Sequence, residues 1–421
     1  MTNRFLLALT NRSFLFLFLA ELVSQIAMNM MNFILILVAF TLTTSNTAVS
    51  GIVLSFTIPA IFFGILAGVY VDRKNKKKIL LLTNILRGLL LVLLAFVHEK
   101  LLFVYAISFF IATITQFFIP AETPMIPILV KKDALLSANA LFGLALYGSL
   151  LIAYALSGPF LIFFGSRNAL LALAVLYFIG AFFVVCIRLP KAIPLPRKPG
   201  IKLTKASIVG EVKEALSHIL QIREVSHAFF LLVLSQVLIL IIAVIGPGYA
   251  KHVLHIPINQ FPLYFVTPAA IGMGIGAMVL TNYLDKVSKK KSATIGLFIS
   301  AVALYLLQYG SILSQKAFVH YLNTYLPGIL QITILHSMVV LAFILGLANA
   351  LIFVPSNTII QEQTSDTLRG KIYGTLNTIV ALASLLPVIV VGSLADIFGV
   401  PLVLTVLAIT VAFIGILRLI F

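Results

Sequence analysis

Cysteine is almost missing from this chain. One residue, Cys186, occurs among 421. It lies in an apolar run, which excludes a disulfide framework and a thiolate metal site and suits a small buried side chain. Acidic residues are also scarce, with 12 Asp and Glu against 29 Lys and Arg. Charged residues make up 10% of the chain, where soluble globular proteins carry about 25%. No low-complexity tract interrupts the sequence. There is no His-Glu zinc helix, no nucleophile elbow and no glycine loop to cradle phosphate. These absences argue against an enzyme and predict no cofactor.

What remains is apolar. Hydrophobic residues are 61% of the chain and the mean hydropathy is +1.15, the composition of a membrane protein. A spanning helix needs about 20 apolar residues. Twelve runs qualify, at 14–42, 47–71, 79–97, 101–120, 136–164, 169–189, 227–250, 260–284, 291–309, 333–354, 370–395 and 399–420. Residues 1–13 carry Arg4 and Arg12 ahead of a run too long for a signal-peptide core, so the first run is expected to be retained as a span. The net charge of +17 sits in short loops between spans, which argues against a nucleic-acid partner. With the N-terminus inside, 24 of the 29 basic residues fall on the cytoplasmic side. Lysine and arginine set orientation, so both termini are expected in the cytoplasm of a plasma-membrane protein.

The chain is organised around a loop. Gly68-Val-Tyr-Val-Asp72-Arg73 leads into Lys76, Lys77 and Lys78; 213 residues later Thr281-Asn-Tyr-Leu-Asp285-Lys286 leads into Lys289, Lys290 and Lys291. A basic loop repeated at half-chain spacing points to duplication. Residues 1–189 and 227–421 then form two six-helix halves, joined by a cytoplasmic linker at 190–226. The linker opens on a proline-rich stretch and continues as an amphipathic surface helix. Pro120/Pro355 and Gly165/Gly399 repeat at 235 and 234 residues. The added residues therefore lie near 310–332, between spans nine and ten.

Span one carries the most informative polar pattern. Glu21, Gln25, Asn29 and Asn32 recur at steps of four, four and three, on one helix face. Facing lipid would be costly, so the stripe is expected to line the bundle interior or a watery cavity. Glu21 reads as the only acid well inside a span. It can take and release a proton, or it can serve as the structural partner of Arg87 in span three; both roles are open. Gln116, Gln236 and Asn377 are single polar residues that could touch substrate. Asp72 can cap the N-terminus of a facing helix, with Gly68 allowing close approach. Arg73, Lys76 and Lys77 can also bind the anionic headgroups of membrane lipids.

The loop at 68–78 resembles the signature of the major facilitator superfamily, in which Gly68, Asp72, Arg73, Lys76 and Lys77 match and Asn75 replaces a glycine. The resemblance implies an all-α membrane protein, twelve transmembrane helices in two pseudo-symmetric halves, and secondary active transport by alternating access. It also implies that Asp72 latches onto the start of span eleven and Asp285 onto span five. Residues 119–141 resemble the loop after span four in bacterial macrolide-efflux and enterobactin exporters, with a looser likeness to lysophospholipid transporters. Span four lacks the arginine of many proton-coupled drug exporters. The resulting expectation is a monomeric, proton-coupled exporter of small amphipathic organic substrates, with lysophospholipid transport as the alternative.

Overall fold

The computed structural model describes residues 9–72, 74–130, 134–189, 216–217, 219–283, 288–308, 321, 324, 334–364 and 366–420. The architecture is all-helical. The long helices are α1 (Arg12–Thr43), α2 (Asn46–Asp72), α3 (Lys76–Val97), α4 (Leu101–Glu122), α5 (Leu135–Cys186), α6 (Arg223–His252), α7 (Thr267–Tyr283), α8 (Lys289–Leu307), α9 (Ile334–Gln363), α10 (Asp366–Phe398) and α11 (Val400–Ile420). Eleven helices among the described residues are long and apolar enough to cross a membrane. The 52-residue α5 breaks at Gly165, where φ is 67°. Its two limbs, 135–165 and 166–186, bring the segments to the twelve of the sequence reading.

Backbone chemistry explains why helices persist through awkward residues. In lipid every N–H and C=O must bond inside the protein. Pro59, Pro159, Pro247, Pro355 and Pro387 all lie within helices. Among the described residues Gly165 and Gly399 are the two glycines at positive φ, 67° and 86°. Each reverses the chain between consecutive spans, a left-handed turn that glycine makes without a Cβ penalty. They are the two positions that repeat at 234 residues, so the duplication reaches the backbone. Asn75 has a different job from the one its family position suggests. It stands at φ −69°, ψ 108°, and its side chain accepts from Lys78 N, capping α3. That is an ordinary N-cap, with no left-handed residue needed.

Contacts divide the chain into two compact units. The first holds residues 1–38 and 54–211; the second holds 39–53 and 212–421. In the first, Phe14 and Leu17 of α1 pack with Val71, Leu80, Phe118, Ala121 and Ile126. In the second, α7 and α9 approach backbone to backbone. A Cβ on Gly346 would collide with the Ala269 carbonyl, and one on Gly272 with that of Phe343. Small residues at such crossings let dispersion contacts replace the hydrophobic driving force that lipid removes.

Several expectations fall outside the described residues. These are the linker at 190–215, Arg73, Asp285, and all but Tyr321 and Thr324 of the 310–332 insertion.

Candidate functional site

The first unit holds a polar cluster inside its apolar core. Glu21 on α1 is 1% exposed, Arg87 on α3 1%, Glu122 at the end of α4 5%, and Asn84 and Tyr177 are fully buried. Of the α1 stripe, Glu21 and Gln25 are buried, and Asn29 and Asn32 are half-buried. Gln25 Nε2 donates to Glu21 Oε1 at 2.9 Å, and Asn29 Nδ2 to the Gln25 carbonyl at 3.0 Å. Ser24, one residue off the stripe, donates to Asn84 Oδ1 at 3.0 Å. Gly180 on the second limb of α5 makes room for this, since a Cβ there would lie 2.8 Å from Ser24 Oγ.

Arg87 is gripped without a direct ion pair. Its Nη2 donates to Asn84 Oδ1 at 2.7 Å and its Nε to the Thr83 carbonyl at 3.3 Å. Its guanidinium carbon lies 4.3 Å from the Phe118 ring centre and 4.6 Å from that of Tyr177. A planar cation stacks on aromatic faces in this way. Among the described residues the one ion pair within bonding distance is Lys289–Glu362. Arg87 acts on Glu21 and Glu122 through space.

Glu122 is the residue the sequence reading missed. The stretch Ile-Pro-Ala-Glu-Thr-Pro reads as a loop, yet α4 continues through Pro120 to Glu122. A signal was present: Ile111, Thr115, Phe118 and Glu122 recur at steps of four, three and four, and all are buried. The statement that Glu21 is the only acid well inside a span is therefore corrected. The two carboxyls flank one buried core, in which Leu17 and Ala20 of α1 pack with Phe118 and Ala121 of α4. Yet Glu21 Oε2 and Glu122 Oε1 are buried without any donor.

The other candidates are more dispersed. Asn32 and Gln116 are half-buried in the first unit, and Gln116 makes a long 3.5 Å contact to the Ala112 carbonyl. In the second unit Gln236 is half-buried and Asn377 exposed. Ser235 donates to Asn349 Oδ1, a polar link between α6 and α9. Of the residues expected to form a latch, Gly68 lies on α2 with nothing within 4 Å of where a Cβ would be. Asp72 ends α2, and its side chain is outside the described residues. Lys76 starts α3. Lys77 is drawn elsewhere, its Nζ donating to the Val185 and Ile187 carbonyls at 2.9 and 2.7 Å. Beside it a cavity of about 750 Å³ is lined by Arg12, Ser13, Phe16, Lys77 and Arg188.

A second acid went unnoticed in the sequence. Asp396, at the end of α10, caps the start of α2 within the second unit. Its carboxylate accepts from Ser45 Oγ at 2.6 Å, Asn46 N at 2.7 Å, Asn46 Nδ2 at 2.8 Å, Thr47 N at 2.9 Å and Thr47 Oγ1 at 2.7 Å. A carboxylate at a helix N-terminus satisfies free N–H groups and meets the positive end of the helix dipole. One turn along, Ser50 donates to the Val388 carbonyl at 2.7 Å, and Gly392 leaves the space that Ser50 fills.

A family model described as Major Facilitator Superfamily matches residues 17–322 and 228–421. The Bacillus subtilis (strain 168) protein YfiS, an uncharacterized MFS-type transporter, is 25% identical over 400 residues, spanning 92% of this chain and 87% of that protein. The putative bacilysin exporter BacE of the same organism is 33% identical over 142 residues, 33% of this chain and 35% of that one. The solved structure of the nucleoside transporter NupG superposes with a TM-score of 0.74 at 14% identity, covering 97% of this chain and 99% of that one. A bacterial homolog of the human lysosomal transporter Spinster gives 0.67 at 12% identity, over 99% and 97%. At such identities these two structures speak for the fold alone.

Proposed function

Because the chain belongs to the Major Facilitator Superfamily, and is thus a multi-pass membrane transporter rather than an enzyme, we propose that it exports amphipathic or hydrophobic organic compounds, driven by protons. The observation that carries the coupling is the buried acidic cluster on α1, α3 and α4. An ionisable group inside a membrane span is costly and is kept for function by default. The substrate class rests on the surroundings. The chain has 33 Phe and 13 Tyr, and polar side chains along the spans are few. Such a lining favours an apolar body with few polar handles over a sugar or an amino acid. The partial likeness to BacE, described as a putative exporter, supports the outward direction. The likeness of residues 119–141 to macrolide-efflux and enterobactin exporters supports the drug or siderophore type. The working unit in this reading is a monomer of the plasma membrane with both termini in the cytoplasm. Asp72 serves as the cytoplasmic latch, Asp285 as its weaker copy. Gln25, Asn29, Asn32, Gln116, Gln236 and Asn377 are the substrate-facing candidates.

The test is accumulation in cells lacking or overproducing the protein, using a macrolide, a siderophore and a lipophilic cation, with and without a protonophore. Overproduction should lower accumulation, and the protonophore should abolish that difference. Unchanged accumulation of all three compounds would remove the exporter reading.

One observation favours a second reading, lysophospholipid transport. The cavity beside Lys77 combines three cations, Arg12, Lys77 and Arg188, with the apolar Phe16 and Leu189. An anionic headgroup above an acyl chain fits that chemistry. Translocation of a fluorescent lysolipid in proteoliposomes separates the two readings.

A further inference from the structure

We propose that Glu21 and Glu122 form one proton-binding site, a carboxyl pair that shares a single proton. This rests on the proton-coupled reading above and deepens it by naming the site's second half. Two carboxylates in contact, both cut off from water, cannot both be ionised. The geometry has a specific gap. The two carboxyls sit on neighbouring helices of one buried core, where Leu17 and Ala20 of α1 pack with Phe118 and Ala121 of α4, and carboxylate oxygens only accept. Glu21 Oε2 and Glu122 Oε1 have no donor at all. A proton held between the two groups supplies the missing donor.

The surroundings set the charge. Arg87 from α3 is the charged group that faces the pair, and Tyr177 from α5 lies against Arg87, its ring centre 4.6 Å from the guanidinium carbon. Gln25 supplies one donor to Glu21. Arg87 is positioned by Asn84 and two rings, so its charge stays put. With one proton on the pair the cluster is neutral: one arginine, one carboxylate, one carboxylic acid. Loss of the proton leaves one net negative charge in an apolar core. That unfavourable state is relieved by opening the cluster to water or by the next proton. The pair also ties α1 to α4, so proton release weakens the contact between two helices of the first unit. Protonation is thereby linked to helix packing, which is what coupling to a conformational cycle requires.

Infrared spectroscopy of the purified protein in lipid tests the pair without any substrate. A protonated carboxylic acid gives a carbonyl stretch, distinct from ionised carboxylate, that shifts in heavy water. The wild type should show this band at neutral pH. Glu21→Gln and Glu122→Gln should each lose it, because either change leaves a lone carboxylate beside Arg87. A band that persists in Glu122→Gln overturns the shared proton and returns the role to Glu21 alone. Absence of the band from the wild type overturns it as well. If Glu122→Gln does not fold, Glu122→Asp serves instead. Drawing the carboxyl back by one methylene must shift or weaken the band, and an unchanged band again refutes the pair. The broader reading fails separately. A wild-type band together with export that is indifferent to the proton gradient would leave the shared proton standing and remove the coupling.

Discussion

Replacing Asp396 by alanine removes a carboxylate that accepts five hydrogen bonds from Ser45, Asn46 and Thr47. Hydrogen bonds to a charged group contribute about 1.5–3 kcal/mol each when buried. This site is exposed, so water takes up most of the released donors, and about 0.3 kcal/mol each is a fairer figure. The lost interaction with the helix dipole adds about 0.5 kcal/mol. The total is about 2 kcal/mol, or roughly a thirty-fold shift between the state with α2 docked on α10 and the state with it released. In the proposed alternating-access cycle that contact breaks when the protein opens on this side. The assay uses a Cys186→Ala background with Val49→Cys as reporter. Val49 is fully buried in the first turns of α2. A membrane-impermeant maleimide should label it about thirty times more readily once Asp396 is alanine. Asp396→Asn should recover less than half of the effect. It keeps one acceptor oxygen and turns the other into a donor that faces donors. A labelling rate equal to that of the parent would show that the contact plays no part in closing this side.

Asp72→Asn should cut transport strongly while leaving the melting temperature nearly unchanged; normal transport would remove the cytoplasmic latch. Asn75→Ala should lower stability by about 1 kcal/mol through loss of the α3 cap, and Asn75→Gly by only a few tenths, both read from denaturation of the purified protein. Gly346→Val should cost about 1–3 kcal/mol or block folding, because the obstructing atom is the Ala269 backbone carbonyl. Gly274→Ala is the control, since no atom lies within 4 Å of its new methyl, and its melting temperature should match the parent. Arg87→Met should cost about 3 kcal/mol, because it strands two buried acids and empties the slot between Phe118 and Tyr177. Adding Glu21→Gln should restore part of that loss, and additivity of the two changes would refute the through-space link.

Much of the cluster was written in short-range spacing. Glu21, Gln25 and Asn29 share a face because 3.6 residues make a turn, and the structure chains them by hydrogen bonds along α1. Glu122 was obscured by its flanking prolines. Pro120 lies inside α4 and Thr123–Met125 follows as a 3₁₀ turn, so the helix ends two residues later than a loop reading allows. Asp396 was hidden for another reason. Its partners lie some 350 residues earlier in the chain, and no local pattern announces a cap supplied by another helix.

The sequence by itself determined that this protein spans the membrane, how often it does so, and where the chain reverses. Apolar runs, basic loops and the Gly165/Gly399 pair act locally, through the demand that lipid places on every backbone group. Only the tertiary structure decided which charges meet. Glu21, Arg87 and Glu122 come from α1, α3 and α4, and Asp396 reaches α2 from α10. Those encounters depend on how helices distant in sequence pack, and side-chain contact between them has no periodicity to betray it.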